Sequence, residues 1–222
     1  MDCDTPAMSP RLAAILGLAA PVTFVTGIVL GDLAQPDAFS PANDDISDLG
    51  ALTASSPWLY NQVAANLSGL LVIGLGLGLW SALPSGLLSR LGVVGLVVAG
   101  TGLFLDGFVR LDCQGIDARC DNTSWHSSAH RIESGVTAAA LFVTPFVLAF
   151  AFRRLPEWRS IWLPTLFATP ALVAVSIPFG ALGAGASTRA GSVVWFCWIA
   201  VVAFHLLRIS SGGAPVPAAR ES

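Results

Sequence analysis

The sequence predicts an all-α polytopic membrane protein, a bundle of six transmembrane helices with both termini in the cytoplasm. Three observations lead there. The 222 residues are 54% hydrophobic and only 11% charged, with a mean hydropathy of +0.71, whereas a soluble domain has about a quarter of its residues charged. Six apolar runs are each long enough to cross roughly 30 Å of hydrocarbon. All 11 basic residues are arginine, and their placement orients the chain by the positive-inside rule. With cytoplasmic ends, Arg11, Arg90, Arg153, Arg154, Arg159, Arg208 and Arg220 fall inside, and Arg110, Arg119, Arg131 and Arg189 outside. The expected location is the plasma membrane. A net charge of -3 carries no basic footprint for nucleic acid.

The first run, about 12–30, is too long for a signal-peptide core and lacks a convincing small-x-small cleavage site, so it reads as an uncleaved anchor. The outer loop after it runs from Asp32 to Ser56. Within it Ile46, Leu49 and Leu52 recur every three residues behind Asn43 and Asp44, good N-caps, which predicts a short surface helix.

The second run, about 59–80, places Gln62, Asn66, Gly69 and Gly76 on one face. The third, about 89–109, carries Gly92, Gly95, Ala99 and Gly102 at steps of three and four, a stripe that lets a neighbouring helix approach closely. Asp106 continues that stripe. It is the one full charge deep inside an apolar run, and such groups are costly and usually functional. Asp106 could pair with Arg110 or Arg131, or act as interhelical glue with Asn66 and Gln62.

The second outer loop holds Cys113 and Cys120, which outside the cytoplasm read as a structural disulfide, with a redox pair as the alternative. His126-x-x-x-His130 follows, two imidazoles on adjacent helical turns, the spacing at which both can bind one ion. Asp106, Asp112, Asp48 and Glu133 are the carboxylates that could complete the shell, and zinc is the expected ion. The competing reading makes both histidines caps or hydrogen-bonding groups at the headgroups. The fourth run, about 134–152, brings His126, His130, Glu133 or Ser134, and Thr137 to one face if its helix starts early.

The fifth and sixth runs, about 161–182 and 191–207, flank a short Gly-rich turn. His205 lies near the inner end of the sixth, about 20 Å below the outer face, and reads as a packed histidine. Trp58 and Trp125 mark outer boundaries, and Trp80, Trp158 and Trp162 inner ones, while Trp195 and Trp198 lie deeper. Residues 1–210 thus form one membrane domain, and 211–222, rich in Ser, Gly, Pro and Ala, a disordered cytoplasmic tail.

The stretch Ser40-Pro41 to Ile46-Ser47-Asp48-Leu49-Gly50-Ala51, then Trp58 and Asn61, precedes a third helix ending in the acidic segment Asp106 to Asp112 before the loop histidines. Together these resemble the bacterial and archaeal six-helix membrane family termed domain of unknown function nine-nine-eight. The resemblance spans nearly the whole chain in helix count and loop order. Ser47-Asp48-Leu49-Gly50 and His130 are its specific residues. That family has no established activity, so it implies the fold and leaves the reaction open.

A looser likeness is to zinc-dependent membrane amidases, the alkaline ceramidases and adiponectin-receptor-like proteins. There Ser47, Asp48 or Asp106, His126 and His130 would match the Ser, Asp and HxxxH roles. The chain departs from them in having six helices instead of seven and no third histidine on the matching side.

The expectation is a polar pocket at the outer leaflet with His126, His130 and Asp106 as metal ligands. Asp48 or Glu133 would be general base, and Ser47, Gln62, Asn66 and Asp112 would line the pocket. If enzymatic, the protein would hydrolyse a lipid ester or amide. The rivals are a non-enzymatic lipid-binding or accessory protein packed on a membrane-protein partner, and a small transporter. The transporter would want repeat halves and a mid-membrane polar site.

Overall fold

The computed structural model describes residues 8–211. The expected tail, apart from Ser211, lies outside the described residues. Among the described residues six helices are long and apolar enough to cross a membrane: α1 (Pro10–Leu33), α2 (Leu59–Ala82), α3 (Leu87–Asp106), α4 (Trp125–Arg154), α5 (Trp162–Gly180) and α6 (Ala184–Ser211). A 3₁₀ turn, Pro156–Ile161, leads into α5 and extends its candidate span to Pro156–Gly180. No strand occurs among the described residues.

Each helix packs on its sequence neighbour, and α6 closes the ring against α1. Small residues set the spacing. A methyl group on Gly17 would meet the Ala203 Cβ at 2.8 Å, so α1 and α6 touch almost backbone to backbone there. The predicted stripe on α3 faces α4: Cβ atoms at Gly92 and Gly102 would collide with Leu148 and Thr137. Phe24 of α1 stacks on Phe196 of α6 at 4.3 Å, among the buried Val72, Leu75, Leu79, Ile199 and Val202.

α4 begins at Trp125, the early start that its polar face requires, because Ser124 caps it by accepting from the Ser127 N–H at 3.2 Å and the helix outlasts its apolar run. Two local readings are corrected. The first loop forms only a 3₁₀ turn, Ile46–Gly50, with Ile46 and Leu49 buried and Leu52 57% exposed. Asp44 does not cap it; its carboxylate accepts from the Ser40 N–H at 2.6 Å and closes the loop instead. Trp158 is 2% exposed and stacked on Phe152 at 4.6 Å, so it is a core residue and not part of an interfacial belt.

The first turns of α2, Leu59–Leu67, are wound as a π-helix. This winding rotates residue 62 away from the face that α-helical counting assigns it. π-wound turns are rare and cluster at functional sites. Here the segment lies against the end of α3, where a Cβ on Gly107 would strike the Asn61 carbonyl and the Asn66 amide.

Both long loops lie at this same end and are sewn together. Gln35 Oε1 accepts from Gln114 Nε2 at 2.9 Å and from the Ser55 N–H at 3.1 Å. Thr53 Oγ1 donates to Asp117 Oδ2 at 2.6 Å, and the Leu52 N–H donates to the Leu111 carbonyl at 3.0 Å. Arg189 near the start of α6 binds Asp32 at the end of α1 through two contacts of 2.6 and 3.2 Å, and reaches the Asp44 carbonyl at 2.8 Å. Paired nitrogens on one carboxylate fix geometry as well as charge.

Candidate functional site

Asp106 is the last residue of α3, and His130 lies near the beginning of α4. The Gly stripe draws these helices together, so the two side chains meet: His130 Nδ1 is 2.8 Å from Asp106 Oδ1, with both residues buried. Glu133, less than one turn further along α4, joins them. Among the described residues this is the group with metal-ligand character, one donor atom from each lying within 4.8 Å of the others.

The hydrogen bonding around the group has a consistent sense. Tyr60 from the π-wound segment donates its hydroxyl to Asp106 Oδ2, and Thr137 donates to Glu133 Oε1. His130 Nε2 faces Ser134 Oγ at 3.4 Å. The remaining atoms, Asp106 Oδ1, Glu133 Oε2 and His130 Nδ1, are buried without a hydrogen-bond partner. His130 and Asp106 therefore sit at ion-pair distance but off the line of a hydrogen bond. Every residue spends its outward atom on a hydroxyl and keeps its other one free. Hydroxyl-held carboxylates are what a ligand shell needs to fix orientation.

Beside His130 opens a polar cavity of about 410 Å³, reached by Ser47, Arg131, Ser134, Thr188 and Ser192. Its lining joins His130 to Asp45, Ile46 and Ser47 of the first loop and to α6.

The other expected site residues lie elsewhere. His126 is outside the cluster: its ring stacks on Trp125 at 3.6 Å. It lies four residues, about 6 Å of helix rise, before His130, towards the loops and beyond the level of Asp106 at the end of α3. Glu133 completes the group where His126 was expected. Gln62 is exposed, turned out by the π winding. Asn66 donates to the Phe104 carbonyl and is spent on packing α2 against α3. Asp48 is buried beneath the second loop, its carbonyl accepting from Gln114 Nε2 at 3.2 Å. Burial raises its carboxyl above the ordinary value, and Asp45 and Asp44 add to this, while the Gly115 N–H pulls the other way.

Asp112 lines a separate cavity of about 700 Å³ in the loops with Thr53, Asp117 and Arg119. Its Oδ2 accepts from the Ser124 N–H at 3.0 Å, and the Ser124 hydrogen bonds hold its carboxyl below the usual range. Its own N–H donates to Asn122 Oδ1 at 2.8 Å. Cys113 and Cys120 have Cα atoms 6.1 Å apart, within the span a disulfide covers. Arg110, four residues after Asp106, lies past the end of α3 and off its helical turn, and Arg131 donates to the Asn122 carbonyl at 2.9 Å instead. His205 is buried at the opposite end of the bundle, its Nε2 2.8 Å from the Glu157 carbonyl.

Tyr60 is the site residue that sequence reasoning missed. It is the single tyrosine of the chain, and a lone phenol at the start of an apolar run was the available signal.

A family model described as "Protein of unknown function (DUF998)" matches residues 18–205. Neither a curated protein nor a solved structure matches the chain.

Proposed function

This chain belongs to the DUF998 family, and from that starting point we propose that it holds a divalent metal ion, zinc, between Asp106, His130 and Glu133 and uses it to hydrolyse a lipid ester or amide. The observation that carries the reading is the convergence of three buried donor atoms without hydrogen-bond partners, on residues whose outer atoms are held by Tyr60, Thr137 and Ser134. Two carboxylates so close together in apolar surroundings are costly unless a cation neutralises them. One imidazole and two carboxylate oxygens suit zinc, and three protein ligands leave a position open for water.

A bound zinc ion supplies Lewis acidity and a water that ionises near neutral pH. The chain supplies the rest. Tyr60 and Thr137 fix the two carboxylates. Ser134 and Ser47 line the cavity where a polar headgroup would lie, and Arg131 provides the cation for an anionic one. The orientation that the arginines predict puts this end of the bundle at the outer leaflet of the plasma membrane.

The second reading is a lipid-binding protein without turnover. The 2.8 Å approach of His130 to Asp106 favours it, since an imidazolium–carboxylate pair backed by Tyr60 balances its charge without a metal. Incubating zinc-loaded protein with ester- and amide-linked lipids in vesicles and assaying fatty-acid release decides between them. Turnover that vanishes in Asp106→Asn supports the hydrolase, and retention of lipid with no release supports the binder.

A further inference from the structure

The polar cavity beside His130 has a neighbour across two shared residues. Thr188 and Ser192 of α6 line it, and the same two residues line a second, open cleft of about 430 Å³ bordered by α3, α4, α5 and α6. The walls of that second space are apolar: Leu103, Leu141, Phe142, Leu172, Val173 and Ile177. Hydroxyls of Ser176, Ser187, Thr188 and Ser192 lie along the α5–α6 side, and one fully buried polar group sits deeper. Trp195 lines this cleft, is 2% exposed, and its indole N–H has no hydrogen-bond partner. Buried donors are ordinarily paired, and an unpaired one needs an explanation.

We infer that the two cavities are one site for a single-chain amphiphile, with its headgroup beside His130 and its acyl chain between α5 and α6, where the Trp195 N–H donates to the ligand's carbonyl oxygen. Each volume is of the size that ligand pockets have. A hydrocarbon chain is the occupant that suits the cleft, because Val173 and Ile177 are also exposed on α5 where lipid would surround it. An acyl carbonyl is an acceptor that such an amphiphile brings to an indole N–H, itself a donor without acceptor capacity. As the substrate of the proposed hydrolase this ligand rests on the zinc reading. As a binding site it rests on Thr188, Ser192 and Trp195.

The test uses full-length protein in phosphatidylcholine vesicles and a long-chain monoacylglycerol with a photoreactive diazirine in its acyl chain. Crosslinks should concentrate on Leu172, Val173 and Ile177, compete away with unlabelled monoacylglycerol, and disappear in Val173→Trp, which fills the cleft from a lipid-exposed position. Trp195→Phe should weaken competition by the monoacylglycerol about five-fold, the weight of one neutral hydrogen bond, and leave competition by an alkane of equal length unchanged. That difference separates the missing N–H from a general loss of packing. Labelling spread over the lipid-facing sides of all six helices, or undiminished in Val173→Trp, overturns the inference. Zinc content measured on the same samples keeps the readings apart. Focused labelling without zinc retains the amphiphile site and removes the hydrolase, and zinc with diffuse labelling does the reverse.

Discussion

The imidazole of His130 on α4 lies 2.8 Å from the carboxylate of Asp106 at the end of α3, and each presents a buried atom free of hydrogen bonds to the other. The contact follows from the glycine stripe: with larger residues at 92, 95 and 102 the two helices would stand further apart. Sequence, packing and chemistry meet at this pair.

Tyr60→Phe removes the hydroxyl that holds Asp106 Oδ2 while leaving the buried ring in place. Loss of such a supporting donor typically costs 10–100-fold in metal affinity. Zinc affinity by competition with a chelator should fall by roughly that factor, with the helical circular dichroism unchanged.

Gly102→Ala places a methyl against Thr137, whose hydroxyl donates to Glu133. Overpacking of this kind costs about 1–3 kcal/mol, so the variant should melt lower and bind zinc less tightly. Gly135→Ala is its control on α4, having nothing within 4 Å of the added carbon. There the gain in helix propensity should be about 0.5–1 kcal/mol.

Asp48 is buried in the first loop with its carboxyl raised. A raised folded-state value means stability that is complete below the unfolded value, near pH 4, and is lost as pH rises through the folded one. The loop over 46–52 should therefore open more readily at pH 7 than at pH 4, measured by hydrogen exchange corrected for the chemical rate. Asp48→Asn should erase that difference. A wild-type loop equally protected at both values speaks against a buried carboxylate here.

Cys113 and Cys120 are placed to bond, and closing so short a loop contributes roughly 2–3 kcal/mol. Protein purified without reductant should alkylate at neither residue. The double variant to serine should melt lower and loosen the segment before His126.

The helices were legible because a chain in hydrocarbon must satisfy its own backbone, which leaves long apolar runs as its signature. Helix ends beyond the apolar run were not, and α4 and α6 both start earlier than hydropathy suggests. In the site, Asp106, His130 and Glu133 stood out as titratable groups against an apolar background. Their relation to His126 and Gln62 could not be read. Where α3 stops decides the first, and a π winding that leaves no mark in apolar periodicity decides the second. The same winding hid Tyr60.

Zinc stoichiometry by elemental analysis of purified protein, with His130→Ala and His126→Ala beside it, tests the central claim most directly. About one ion per chain is expected for a single three-ligand site, lost in His130→Ala and kept in His126→Ala. Equal and negligible metal in all three would contradict the account, leaving His130 and Asp106 as an ion pair that only ties α4 to α3.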